Sequence, residues 1–99
     1  MNKENIYITL NHLKIFKGET YLRTGDELTL RKDRSNPYDD EALAVYDDER
    51  RLKIGYVANS VTTVARGTYS AGRLYDRIGE ECRCRVCFVL DESVIAQIV

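Results

Sequence analysis

The sequence contains little of what enzymes usually need. It has one histidine, His12, and its three cysteines all lie between Cys82 and Cys87. No serine or cysteine stands in a recognisable nucleophile motif, and no glycine-rich loop of the nucleotide-hydrolase type is present. These absences argue against nucleophilic catalysis and nucleotide hydrolysis. They favour a non-enzymatic protein that needs no cofactor.

Long apolar runs are also missing. The N-terminus has no basic segment followed by an apolar stretch, and no run approaches the ~18 residues that a transmembrane helix needs. The cysteines are odd in number and too close together to form a disulfide framework between distant parts of a secreted fold. We therefore expect a soluble, cytoplasmic protein with no membrane association.

The cysteine cluster raises the question of a metal site, because thiolates bind soft ions such as zinc. On an unbroken strand alternate side chains face opposite sides, so Cys82 and Cys84 point one way and Cys87 points the other. Phe88 and Leu90 then share the side of Cys84. Because the thiols do not converge and no second cysteine pair exists, the sequence predicts that Cys82 and Cys84 are core residues and that no metal is bound.

Charge is unevenly distributed along the chain, although its formal sum is only −1. Residues 39–49 contain six acids and no base, whereas residues 50–85 contain eight bases and three acids. The acidic clusters 39–41 and 47–49 could bind a divalent metal, which keeps a hydrolase as a third possibility. Both clusters lie in predicted turns, however, where solvation explains them. Charge alone therefore assigns no function.

Alternating β-branched, leucine and aromatic residues predict six strands, at 6–17 with an interruption at 11, 27–31, 42–46, 52–57, 82–90 and 94–99. Two short helices are predicted over 60–67 and 70–78, each followed or ended by a glycine. A chain this small hides its strand edges best by curling. We expect one domain over residues 1–99, a mainly β, partly closed six-stranded barrel of the OB or SH3-like type.

Tyr38 differs from the other tyrosines. Tyr7, Tyr46 and Tyr56 fall in predicted strands, where core or cross-strand packing explains them. Tyr38 lies in the turn at 36–39, where proline fixes φ and asparagine and aspartate bond back to nearby backbone. An aromatic side chain in such a turn is not explained by sheet packing, and it can stack on nucleobases.

Four blocks of the sequence resemble the HIRAN family in order and spacing. They are Leu-Lys-Ile-Phe-Lys-Gly at 13–18, Gly-Asp-Glu-Leu-Thr-Leu at 25–30, Asn-Pro-Tyr-Asp at 36–39 with Ala-Leu-Ala-Val at 42–45, and Lys-Ile-Gly-Tyr-Val at 53–57. The resemblance extends over residues 6–66. Its most specific part is the Asn-Pro-Tyr-Asp turn leading into the Ala-x-Ala-Val strand, with Ile-Gly-Tyr following in the next strand.

The resemblance implies a small barrel that binds the 3′ ends of single-stranded DNA, without catalysis and in the context of DNA repair. By position, it implies that Tyr38 stacks on the terminal nucleotide and that Asp39 accepts a hydrogen bond from its 3′-hydroxyl. Phe16 is then a second aromatic surface, Lys14 a phosphate contact, and Asn36 part of the binding turn. A carboxylate accepts from a hydroxyl and repels a terminal phosphate, so Asp39 implies specificity for the free end.

Two departures from the family pattern support an alternative. Ile15 stands where an aromatic neighbour of Phe16 is usual, and residues 57–60 lack the proline and the basic residue often found there. The alternative is a protein-interaction or oligomerisation module that keeps the fold without binding DNA, with the acidic run 39–49 facing a basic partner. The sequence leaves open the oligomeric state, the base preference and the choice between DNA and RNA.

Overall fold

The computed structural model describes residues 5–11, 13 and 22–99. Within them the elements are β1 (Tyr7–Asn11), β2 (Glu27–Lys32), β3 (Leu43–Asp47), β4 (Leu52–Val57), α1 (Ala71–Tyr75), β5 (Glu81–Val89) and β6 (Val94–Ile98). The predicted mainly β fold with six strands is confirmed. The continuation of the first predicted strand over 14–17 lies outside the described residues.

The six strands close into a barrel in the order β1-β4-β3-β2-β5-β6, and every neighbouring pair is antiparallel. β1 completes the closure. Its residues Tyr7 to Leu10 pair with β6, and Leu10 and Asn11 pair with β4. The sequence predicted a partly closed barrel, and the structure shows a ladder that runs all the way round.

The core is built from side chains that alternate along the strands, as in Leu28 and Leu30 of β2 and Val94, Ala96 and Ile98 of β6. Fully burying one leucine or isoleucine contributes roughly 1.5–3 kcal/mol to folding, before conformational entropy is counted. The helix α1 adds two buried side chains, Ala71 and Leu74. It begins at Ser70, whose hydroxyl accepts a hydrogen bond from the Arg73 amide at 3.2 Å.

β5 departs from simple alternation near its end. Cys84 and Val86 are buried as predicted, but the register against β6 shifts between Val86 and Phe88. A β-bulge places one extra residue in the strand and redirects the side chains that follow. Phe88 and Leu90 are therefore 61% and 51% exposed, and their predicted position on the core side with Cys84 is wrong.

The first of the two predicted helices is not formed. The amides of Thr63 and Val64 both donate to the Ser60 carbonyl at 2.9 Å, which makes one turn that does not continue. Residues 61–64 are all β-branched and lose side-chain freedom in a helix, and Gly67 takes a φ of +87°. The second predicted helix is present as the five residues of α1. None of the described helical structure is long and apolar enough to cross a membrane.

The segment between β4 and α1 is held against β1. The amide of Ala58 donates to the Thr9 carbonyl at 2.8 Å, and the amide of Ala71 donates to the Ala58 carbonyl at 2.9 Å. Further along, the Tyr69 amide donates to the Tyr7 carbonyl at 2.7 Å. These bonds position residues 58–71 beside the barrel without regular secondary structure.

Candidate nucleic-acid interface

A groove of about 440 Å³ opens where the connection after β2 meets the segment after β4. We call it the Tyr38 groove. Its described lining residues are Asn11, Asn36, Tyr38, Asp39, Ala42, Tyr56, Val57, Asn59, Ser60 and Thr63. The groove brings together three of the five predicted binding residues, Asn36, Tyr38 and Asp39. The other two, Lys14 and Phe16, lie outside the described residues.

Asn36 shapes the turn that presents its neighbours to the groove. Its Oδ1 accepts hydrogen bonds from the amides of Tyr38 at 2.9 Å and Asp39 at 3.0 Å. An asparagine side chain bonded in this way to the backbone that follows it replaces a backbone turn, and the fixed φ of Pro37 suits the bend. The contribution of Asn36 within the described structure is therefore to hold Tyr38 and Asp39 in place.

The Tyr38 side chain stands in solvent. It is 95% exposed although it lines the groove, so core packing does not account for it. An aromatic ring in this position offers an open face on which a flat ligand such as a nucleobase can stack. This is the chemistry that the sequence assigned to Tyr38.

The carboxylate of Asp39 is held from two sides. Its Oδ1 accepts from the Glu41 amide at 2.9 Å, and its Oδ2 accepts from Nδ2 of Asn59 at 2.9 Å. Asn59 is fixed in turn, because its Oδ1 accepts from the Gly72 amide of α1 at 2.8 Å. An ionised carboxylate has about four lone-pair sites. Each oxygen of Asp39 therefore keeps capacity to accept from a further donor.

Tyr56 lines another side of the groove and is the centre of a chain of polar groups. Its hydroxyl donates to Asp33 Oδ2 at 2.9 Å and accepts from Lys53 Nζ at 3.0 Å. The bond from Tyr56, with a smaller contribution from Ser35, lowers the pKa of the Asp33 carboxyl. The bond to the Tyr56 hydroxyl raises the pKa of Lys53. These two hydrogen bonds hold the Tyr56 ring in its orientation.

Two groove residues were not found by sequence reasoning. Tyr56 was assigned to sheet packing because it lies in a strand, and the structure leaves it half-buried and among the residues that line the groove. Asn59 carries no local signal, because its partner Asp39 lies 20 residues earlier in the chain. Only the folded barrel brings the two side chains together.

No group of three or more His, Cys, Asp or Glu side chains that could hold a metal ion occurs within the described parts of the chain. Of the three cysteines, Cys84 is buried, and Cys82 and Cys87 are half-buried. Burial raises the pKa of the Cys84 thiol to about 12. This thiol is protonated at neutral pH and behaves as a core side chain.

Comparison with protein families gives one finding. The family model of the HIRAN domain matches residues 3–86 of the 99-residue chain. The matched range includes every described residue that lines the Tyr38 groove. Comparisons with curated proteins and with solved structures gave no match.

Proposed function

Because the chain belongs to the HIRAN domain family, a family of nucleic-acid-binding modules, we propose that it binds the 3′ ends of single-stranded DNA in the Tyr38 groove. One observation carries the proposal: Tyr38, with its exposed ring, and Asp39, with its anchored carboxylate, line the same groove. A terminal nucleotide offers the two matching groups, a base that can stack and a free hydroxyl that can donate.

The two groups contribute differently to binding. Stacking of a base on Tyr38 contributes about 1–3 kcal/mol and tolerates any base, because every base has a flat face. Asp39 accepts the hydrogen bond of the 3′-hydroxyl, and its negative charge opposes a 3′-phosphate at the same place. Since Asn59 and the Glu41 amide already orient the carboxylate, little ordering is required when the end binds. Lys14 and Phe16 stay in the proposal as a phosphate contact and a second stacking surface.

HIRAN domains are DNA-binding rather than catalytic, and we extend this to the present chain as a proposal. We further propose that residues 1–99 form one domain and that it needs no cofactor. We also propose that it acts in the cytoplasm, in DNA repair.

Fluorescence anisotropy with short oligonucleotides tests the proposal directly. We expect tighter binding of a 3′-hydroxyl end than of a 3′-phosphate end, and Asp39→Asn removes this preference. Tyr38→Ala weakens binding by roughly 5-fold to 150-fold, the equivalent of one lost stacking contact. Tyr38→Phe is the matched control, because it keeps the ring. Equal binding of both ends, or unchanged affinity of Tyr38→Ala, contradicts the proposal. The same oligonucleotide made as RNA decides between DNA and RNA.

The alternative is a protein-interaction or oligomerisation module. The sequence suggested that its acidic run 39–49 would face a basic partner, but the structure supports the alternative through a different feature. Part of the acidic run is used within the fold, because Asp47 binds Arg50 and Asp48 binds Arg31. The observation that favours this alternative is the exposure of three consecutive apolar side chains, Phe88, Val89 and Leu90.

Mass measurement across a range of protein concentrations tests the alternative, with Phe88→Ser as the comparison. The alternative predicts an assembly that dissociates in Phe88→Ser. A monomer at all concentrations that still binds oligonucleotides contradicts it.

A further inference from the structure

A second groove continues the Tyr38 groove along the segment that leads to α1. It measures about 390 Å³, and its polar lining includes Asn59, Ser60, Arg66, Thr68, Ser70 and Arg73. We call it the Arg66 groove. It shares Asn59 and Ser60 with the Tyr38 groove, so the two form one continuous surface. A ligand that enters the Tyr38 groove and is longer than one residue can therefore extend into the Arg66 groove.

Most other arginines of the barrel wall are already neutralised by carboxylates. Arg31 binds Asp48 and Glu81, and Arg34 binds Glu80. The remaining arginine ion pairs are Arg50–Asp47, Arg83–Glu27, Arg83–Asp48 and Arg85–Glu27. A guanidinium that already faces a carboxylate has less net charge to offer a phosphate. The surplus of bases after residue 50 is therefore smaller on this wall than the sequence suggests.

Not every arginine is paired in this way. Arg23, Arg51 and Arg77 form no ion pair among the described residues, and the same is true of Arg66 and Arg73. Arg66 and Arg73 both line the Arg66 groove, and no described residue lining that groove is acidic. The Arg73 guanidinium lies 4.0 Å from the centre of the Tyr69 ring. A cation–π contact orients a guanidinium without cancelling its charge. The groove thus places two uncompensated positive charges next to the proposed end-binding site.

The remaining lining of the Arg66 groove suits a nucleic-acid backbone. The hydroxyls of Ser60, Thr68 and Ser70 are groups that commonly bond to phosphate oxygens, and guanidinium groups match phosphate in a planar, paired geometry. Val61, with 99% of its surface exposed, adds an apolar contact for a sugar. Cations, hydroxyls and an exposed apolar side chain together match the phosphates and sugars of a nucleic-acid backbone.

We propose that the Arg66 groove binds the backbone phosphates on the 5′ side of the terminal nucleotide, with Arg66 and Arg73 as the phosphate-binding residues. This inference rests on the proposed function, because the terminal nucleotide in the Tyr38 groove fixes where the strand begins. It also accounts for the absence of a basic residue at 57–60: the positive charge stands further along the same segment, at residues 66 and 73.

The experiment compares two 5′-labelled ligands with free 3′-hydroxyls over a salt titration: a single thymidine nucleoside, with its label on an uncharged linker, and a decanucleotide. Arg66→Ala and Arg73→Ala each weaken the decanucleotide roughly eightfold at 50 mM salt, since one phosphate contact on a single strand releases about 0.7 of a counterion. Each substitution also makes the negative slope of log affinity against log salt less steep by about 0.7. The nucleoside has no phosphate and occupies only the Tyr38 groove, so it keeps its affinity in both variants.

Arg85→Ala is the matched control, because it removes the same charge from an arginine that is already paired with Glu27. It leaves both ligands nearly unchanged. Arg66 has no described hydrogen bond or ion pair, so the Arg66→Ala variant keeps its fold. If Tyr38→Ala weakens both ligands but Arg66→Ala and Arg73→Ala act like Arg85→Ala, the Arg66 groove inference fails and the end-binding proposal stands. If neither ligand binds the wild-type chain, both fail.

Discussion

Asn59 donates a hydrogen bond from Nδ2 to Asp39 Oδ2 at 2.9 Å and thereby joins the turn after β2 to the segment after β4. The same side chain accepts from the Gly72 amide, so one asparagine connects the proposed end-binding acid to α1. Side chains that hold a binding group in position contribute to specificity without touching the ligand. Asn59 is a positioning residue in this sense.

Removing that side chain should affect both stability and selectivity. Asn59→Ala loses two hydrogen bonds and leaves the Gly72 amide without its partner, which we expect to cost about 1–3 kcal/mol in chemical denaturation. The preference for a 3′-hydroxyl over a 3′-phosphate should fall about fivefold, because Asp39 loses one anchor. Ser60→Ala is the control, since Ser60 lines the same groove without bonding to Asp39. An unchanged preference in Asn59→Ala argues against the positioning role.

Gly55 in β4 should not tolerate a side chain. A Cβ there lies 2.6 Å from the backbone oxygen of Asn11 and 2.9 Å from Leu13 Cδ2, and the backbone of β1 has little room to move. We expect Gly55→Ala to destabilise the fold by about 1–3 kcal/mol. A Cβ at Gly79 meets nothing within 4 Å, so Gly79→Ala should stay within about 0.5 kcal/mol of the wild type. Equal melting temperatures for the two variants would show that the backbone of β1 moves to make room for the added Cβ.

The three thiols should differ in reactivity. Burial raises the pKa of Cys84 to about 12, so in the native protein at pH 8 Cys84 should not react with a disulfide reagent until denaturant is added. The half-buried Cys87 should react before unfolding. Mass spectrometry of the labelled protein locates the modified residues. Labelling of Cys84 at the rate of Cys87 contradicts the packing of β5.

The raised pKa of Cys84 also sets a direction for stability at alkaline pH. The unfolded chain releases this proton near the ordinary value of 9.0, whereas the folded chain keeps it to about 12. Stability from Cys84 is therefore complete below pH 9.0 and is lost as the pH rises toward 12. Cys84→Val should show a smaller loss of melting temperature across that range than the wild type. Parallel curves for the two proteins exclude this contribution.

The Asp33 carboxyl should make the fold sensitive to acid. Its pKa is lowered chiefly by the hydrogen bond from Tyr56, so its contribution is present above the ordinary value of 3.8 and is lost as the pH falls through the lower, folded value. Tyr56→Phe removes that bond. The melting temperature of Tyr56→Phe should lie below that of the wild type at neutral pH, and the gap should narrow below pH 3.8. A gap that is constant with pH assigns the loss to packing alone.

Much of the barrel can be predicted from the sequence because strand periodicity is local. Leucines at 28 and 30 alternate with polar residues in β2, and the predicted and observed bounds of β4 are identical. The bulge in β5 was missed because it arises from the pairing with β6 and not from the residues of β5. The helix predicted over 60–67 is not formed because the β-branched residues 61–64 lose side-chain freedom in a helix, so the chain makes a single local turn there.

The candidate site was only partly predictable for the same reason. Asn36, Tyr38 and Asp39 lie within four residues, so their shared turn can be read from the sequence alone. Which arginines are paired with a carboxylate depends in part on the register of β2 against β5, which sets Glu27 opposite Arg85. These two residues are 58 positions apart, and no local pattern relates them. The two uncompensated arginines of the Arg66 groove become visible only after this pairing is known.

The complete closure of the barrel restricts how any partner can bind. A protein with a free sheet edge can capture an extended peptide by backbone hydrogen bonding, which adds a strand and is largely indifferent to side chains. Here each of the six described strands has a hydrogen-bonded neighbour on both sides, so the described barrel has no free edge strand. A partner of this barrel, nucleic acid or protein, must therefore be recognised by side chains and by the loops that join the strands. Evolution can change such a partner by substituting a few surface residues, with no change to the strands themselves.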